Sequence, residues 1–146
     1  MKRGIILGAL VLAVGLVSCK KEGCIDADAT NYDEKAKVDN GSCTYQANFA
    51  VWFNQTTAEN MAADGITELS FYIGGNAFGT LSVDDYSTTL PDCTGNTGLS
   101  TVVDLGTDKK TYDLELKYLD NFGVVQGSGS YPGIEANSCR EYEITY

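Results

Sequence analysis

The chain of 146 residues contains no histidine. That absence removes Ser-His-Asp and Cys-His nucleophile systems, and it removes the commonest zinc ligand. Basic residues are scarce as well, with 10 Lys and Arg against 20 Asp and Glu. An acidic surface repels phosphates, and no basic stripe compensates, so nucleic acid is excluded as a partner. The same balance disfavours lying flat on an anionic leaflet. The third lack is a long apolar run. Gly4 to Val17 is uncharged over 14 residues, whereas a helix needs about 20 to cross a bilayer.

What that short run does fit is a secretory leader, with Lys2 and Arg3 as its positive n-region. It ends in Leu16-Val17-Ser18-Cys19, which resembles the lipobox of bacterial lipoproteins. The resemblance implies cleavage before Cys19, a thioether-linked diacylglycerol on its sulfur and an acylated amino group. Two or three acyl chains make a stable membrane anchor. Lys20 follows the cysteine, and in the best-known sorting rule it is Asp there that retains a lipoprotein at the inner membrane. The expected location is therefore the cell envelope, at the outer membrane. Without Lys2 and Arg3 the formal charge is −12, which keeps the protein soluble and weakly attractive to cations.

With Cys19 lipidated, an even set of cysteines is left: Cys24, Cys43, Cys93 and Cys139. Exported proteins with even counts pair them, and four cysteines allow three connectivities. Cys24–Cys43 and Cys93–Cys139 are expected, because each pair then lies within one unit. Oxidised cysteines offer no thiolate chemistry.

The stretch Gly23 to Cys43 packs five acidic side chains into 21 positions. It is too small for a hydrophobic core of its own and needs a staple. Asp26 and Asp39 suit turn and cap work, and Gly41 suits a positive φ. Tyr32, Ala29 and Ala36 are expected to form a small apolar cluster on the disulfide. Gly23, Cys24, Asp26, Ala29, Asn31, Tyr32, Ala36, Asp39, Gly41, Ser42, Cys43 and Tyr45 match a short module of Bacteroidetes secreted proteins, G-C-x-D-x-x-A-x-N-Y-x-x-x-A-x-x-D-x-G-S-C-x-Y, which this stretch resembles. The rival reading is calcium, held by Asp26, Asp28 and Asp39. The EF-hand pattern fails beyond its first two carboxylates. Asn31 stands where the loop requires Gly, and Lys37 where it requires a bidentate Glu.

From Tyr45 onward the period changes to two. Tyr45, Ala47, Phe49, Val51 and Phe53 alternate with Gln46, Asn48, Ala50 and Trp52. Tyr112 to Tyr118 and Glu141 to Tyr146 alternate likewise. Leu69 to Ile73, Gly74-Gly75-Asn76 and Phe78 to Val83 read as a hairpin. Thr101–Leu105 and Gly123–Gly127 complete about seven strands of an all-β, small antiparallel β-sandwich. Thr57–Asp64 is expected as a loop rather than a helical turn, and Gly127–Gly133 as a flexible loop. Ser70 to Leu81, Asp92-Cys93 and Ser138-Cys139 resemble the small sandwich domains of the PEGA and carboxypeptidase-regulatory families.

The expected organisation is a leader at 1–18, a lipidated tether at 19–23, a disulfide-stapled acidic module at 24–44 and a sandwich at 45–146. The two units are expected to have separate cores. Adjacent acids such as Asp84-Asp85 point apart, whereas glycoside hydrolysis needs two carboxyls about 5–9.5 Å apart on one substrate. The expectation is a non-catalytic structural or binding lipoprotein without a cofactor, whose protein or glycan partner the residues do not name. Trp52, on the face opposite Phe49 and Phe53, is the candidate platform for stacking a ligand. A calcium- or glycan-binding accessory protein is the alternative.

Overall fold

The eight-residue alternation that opens the larger unit becomes the strand around which the molecule is arranged. A computed structural model describes residues 20–93, 95, 97–107 and 110–146. Cys19, the expected lipidation residue, and the leader before it lie outside the described residues. In the N-terminal module, β1 (Glu22–Gly23) and β2 (Val38–Asp39) pair in parallel. The module passes directly into β3 (Tyr45–Trp52), followed by α1 (Gln55–Ala63), β4 (Glu68–Ile73) and β5 (Asn76–Ser82). A 3-10 turn at Val83–Asp85 leads to β6 (Leu99–Gly106), β7 (Thr111–Asp120), β8 (Val125–Glu135) and β9 (Cys139–Glu143). Two sheets result, ordered β6-β3-β9 and β5-β4-β7-β8. Among the described residues the fold is all-β with one α-helix.

β3 is buried on both faces over its second half. Tyr45, Ala47, Phe49 and Val51 face the second sheet and join Leu69, Phe71, Leu114, Leu116 and Ile134 in one cluster. Phe49 and Phe71 are fully buried, and burial of one such side chain contributes about 1.5–3 kcal/mol. Ala50 and Trp52 point the other way and are buried too. Leu99 pairs opposite Val51 on one side of β3, and Cys139 pairs opposite Asn48 on the other. The Cys93–Cys139 disulfide therefore ties the chain before β6 to β9 on the far side of β3. Gly98 lies close beside β3. A methyl group there would stand 2.6 Å from the Val51 carbonyl oxygen and 3.2 Å from Trp52 Cβ.

Three elements differ from the expectations. The first is α1, where a loop was expected. Asn54 caps it, its Oδ1 accepting from the Thr57 amide at 2.9 Å. Gly65, at φ +80°, closes it, with the Ile66 amide donating to the Met61 carbonyl and the Gly65 amide to that of Ala62, the Schellman arrangement. Met61, Ala58 and Thr57 form its buried side. Two adjacent threonines and a short apolar stripe hid this helix, but the cap residues at both ends were visible.

The second is β8, which runs through the Gly-Ser stretch expected as a flexible loop. Its small residues make room for a neighbour. A Cβ on Gly127 would meet the Tyr118 ring at 2.4 Å. Pro132 is tolerated because β8 is a terminal strand. The register shifts there, with Pro132 and Gly133 set against Asp113 alone, whose Oδ1 accepts from the Gly133 amide. The third is β9, which pairs with β3 in parallel, so the sandwich is not wholly antiparallel.

The module and the sandwich also share a core. Cys24, Ala29 and Cys43 belong to the same buried cluster as Tyr45, Ala47 and Phe49, where separate cores were expected. Tyr32 is 46% exposed and stays out of the expected apolar cluster, while Ala29 and Ala36 are buried. Nor is the tether free along its whole length: β1 falls within it, and the Lys37 amide donates to the Lys21 carbonyl.

Two outcomes follow from this packing. Cys43→Ser opens the Cys24–Cys43 loop and removes about 3 kcal/mol on the chain-entropy argument. Because the core is shared, thermal denaturation followed by tyrosine fluorescence should show one transition at a lower temperature, not early melting of the module alone. Gly98→Ala places a methyl group against β3 at φ +70°. It should cost about 2–3 kcal/mol, read as a lower urea midpoint at an unchanged slope.

Candidate functional site

Both expected disulfides form, Cys24–Cys43 and Cys93–Cys139. The first closes a module whose polar residues are spent on its own backbone. Asn31 clamps the two ends of the loop, donating from Nδ2 to the Ser42 carbonyl at 2.6 Å and accepting from the Thr44 amide at 2.9 Å. Asp39 accepts from the Gly41 amide at 3.0 Å, and Gly41 takes φ +70°. Gly23 lacks a side chain because Ala36 Cβ lies 3.2 Å from where one would start.

Asp26 does more than cap a turn. One oxygen accepts from the Asp28 amide at 3.1 Å, and the other accepts from the Tyr45 hydroxyl at 2.8 Å. The Lys110 ammonium, from the turn between β6 and β7, lies 2.8 Å from Asp26 Oδ2 and 2.9 Å from Asp28 Oδ2. Hydrogen bonds from Lys110, the Asp28 amide and Tyr45 lower the Asp26 pKa to about 2. The same contacts with Asp26 and Asp28 push the Lys110 ammonium above its ordinary value. The carboxylate pair weighed as calcium ligands thus holds a lysine of the sandwich, and Asp39 serves its own turn. Among the described residues, the one trio of acidic or thiol ligand atoms gathered within 4.8 Å is Cys93, Cys139 and Glu141. Its two sulfurs are joined to each other.

Trp52 is 8% exposed. It presents no open ring face, so it is no stacking platform. Asp84 and Asp85 belong to the 3-10 turn, where Asp85 Oδ2 accepts from the Ser82 amide and Ser82 Oγ accepts from the Asp84 amide. Asp120 is buried and organises the hairpin between β7 and β8. Its carboxylate accepts from the amides of Phe122 and Val124 and from Gln126 Nε2. Burial opposes its charge, but these donors outweigh that and hold its carboxyl below the usual value.

A hollow of about 340 Å³ lies beside the clamp, lined by Asp28, Lys110, Thr111, Glu135 and Ala136, and two more lie along the seam where β5 and β6, terminal strands of different sheets, face each other. The first of these, of about 340 Å³, has Ile73, Phe78, Val103 and Tyr112 as its apolar lining and Asp104 at its rim. A second, of about 330 Å³, lies further along between Leu81, Tyr86, Leu99 and Asp85. Leu99, which lines the second, packs on Gly79, the β5 residue between the two linings. A Cβ on Gly79 would stand 2.7 Å from one of the Leu99 methyl carbons. On the opposite seam, Tyr131 of β8 and Tyr142 of β9 meet edge-on with ring centroids 4.5 Å apart, and a hollow of about 210 Å³ is lined by Gly133, Ile134, Ser138 and Arg140. Desolvation, then the hydrogen bond with Tyr142, pushes the Tyr131 hydroxyl pKa up.

Compared with protein-family models, curated proteins and solved structures, the chain has no match. Lys110, Asp120 and the β5–β6 seam were not found from the sequence. Lys110 meets Asp26 across 84 positions of chain, and nothing local marks it. The only signal for Asp120 was its place before Asn121 and Gly123 in a turn.

The clamp has a defined acid limit. Asp26 is depressed in the folded state, so its stabilisation is fully present above its unfolded pKa of 3.8 and is lost as pH falls toward about 2. In Lys110→Met the carboxyl pKa of Asp26 should rise toward 3.8, stopping short because the Asp28 and Tyr45 donors persist. Carbon-detected NMR titration of the carboxyl reads this directly.

Proposed function

We propose that this chain is a lipid-anchored protein of the cell envelope, placed at the outer membrane, acting as a non-catalytic structural or binding module. The leader and the lipobox-like Leu16-Val17-Ser18-Cys19 supply the anchor. The observation that carries the reading is the pairing of the cysteines. Two disulfides use four of the five, leaving Cys19 as the odd one. Structural disulfides belong to oxidising compartments outside the cytosol, and Cys24–Cys43 is buried within the shared core. A docked module then joins the anchor to the sandwich without a loose hinge, since Lys110, Asp26 and Tyr45 fix one to the other.

The binding alternative built on calcium or glycan loses its support from the side chains first weighed for it. Asp26 and Asp28 already hold a cation of the chain itself, and Trp52 is covered. A protein partner fits the remaining concave surface better. Metabolic labelling with a palmitate analogue tests the anchor. Wild-type protein should carry the label, and Cys19→Ala should lose it and accumulate as an uncut precursor. Label persisting on the variant would overturn the reading.

A further inference from the structure

We infer that the seam between β5 and β6 receives an extended peptide segment of a partner protein, apolar at two positions four residues apart and basic at its ends. The inference rests on the binding reading above and names the partner class.

Three observations carry it. First, the two seams of the sandwich are built differently. On the β8–β9 side Tyr131 and Tyr142 pack together and the hollow lined by Ile134 and Arg140 holds about 210 Å³, whereas the β5–β6 side carries two hollows of about 340 and 330 Å³, with Leu99 packed over Gly79 between them. Both β5 and β6 are terminal in their sheets, and a terminal strand presents a row of backbone donors and acceptors that an added strand can use. Second, the two hollows have the spacing of one extended chain. They are centred about four residues apart along β6, about 13 Å at the rise of a strand. In a strand, side chains at i and i+4 point the same way, and the residue between them would pass over the Leu99 ridge, where it must be small. Ile73, Phe78, Val103 and Tyr112 give the first hollow an apolar lining suited to a branched side chain.

Third, the charge has one sign. The described residues lining the two hollows include Asp104 in the first and Asp85 in the second, and no lysine or arginine. One oxygen of each acid is engaged within the chain, by the Gly106 amide and the Ser82 amide respectively. Their carboxylates flank the path of the guest, so basic residues at its ends would be complementary and acidic ones repelled.

The test titrates the mature chain as recovered from cells, isotopically labelled, with the end-blocked peptide Lys-Val-Thr-Gly-Thr-Val-Lys, and needs no lipid on Cys19. Amide shifts should be confined to β5, β6 and the Val83–Asp85 turn. Affinity should fall about tenfold when both peptide lysines are replaced by glutamate, and about fivefold in the Asp85→Asn, Asp104→Asn double variant, as suits two solvent-exposed ion pairs. Ala77 is exposed at the lip of the first hollow. Ala77→Trp should block that hollow and abolish the shifts while leaving the melting temperature unchanged. No shifts, shifts scattered over the acidic surface, or undiminished binding to Ala77→Trp would overturn the proposal. Concentration-dependent shifts at the same residues without peptide would overturn it too, by making a second copy of the chain the occupant. Palmitate labelling tests the anchor and this titration tests the seam, so either can fail alone.

Discussion

Tyr45 is the point on which the two parts of this molecule depend. Its ring is buried in the common core, and its hydroxyl donates to Asp26 at 2.8 Å. It is also the first residue of β3, the middle strand of its sheet. A single side chain therefore sets where the strand begins and how the module sits on it. Tyrosine suits the position because it combines an apolar body with a polar tip that needs a partner when covered. Asp26 is that partner, and its remaining charge draws Lys110 inward from the turn between β6 and β7. The stapled module is thus better described as the first layer of the domain than as a separate bead.

Such a contact explains why some parts of the structure were legible in the sequence and others were not. The seven strands of the two sheets declared themselves wherever a strand has one wet and one dry face, as in Tyr112 to Tyr118. The disulfides followed from parity and proximity. β8 was illegible because its glycines serve a neighbouring strand: Tyr118 lies where a Gly127 side chain would be. α1 was missed because its apolar stripe is short and its stability comes from caps and from packing. Asp26 and Asp28 looked like ligands because charge patterning does not reveal that a lysine far along the chain will answer them. Trp52 was placed on the correct face, but alternation alone does not reveal that both faces of β3 are buried over its second half.

The two open ends of the sandwich are treated unequally. Terminal strands invite unwanted pairing, and proteins usually blunt them. On the β8–β9 side, a pair of tyrosines packs across the gap, a bulge interrupts the ladder, and Pro132 removes a donor. On the β5–β6 side, β5 runs from the tight Gly74-Gly75 turn, where both glycines have positive φ, to a capped 3-10 turn. Between those ends Leu99 packs over Gly79, with the two hollows along the strand. An asymmetry of this kind concentrates the receptive backbone of the fold along one line.

The parallel pairing of β3 with β9 bears on the order in which the protein assembles. β3 is the first long strand in chain order and β9 the last, so one flank of the middle strand stays open until nearly the whole chain is available. The loop between Cys24 and Cys43 spans 19 positions and that between Cys93 and Cys139 spans 46. Closing the shorter loop needs only local sequence, whereas the longer one requires β9 to be in place. Long-range pairings of this type slow folding. Oxidation should accordingly proceed from the front of the chain to the back, with the second bridge forming as a latch on a sheet already built.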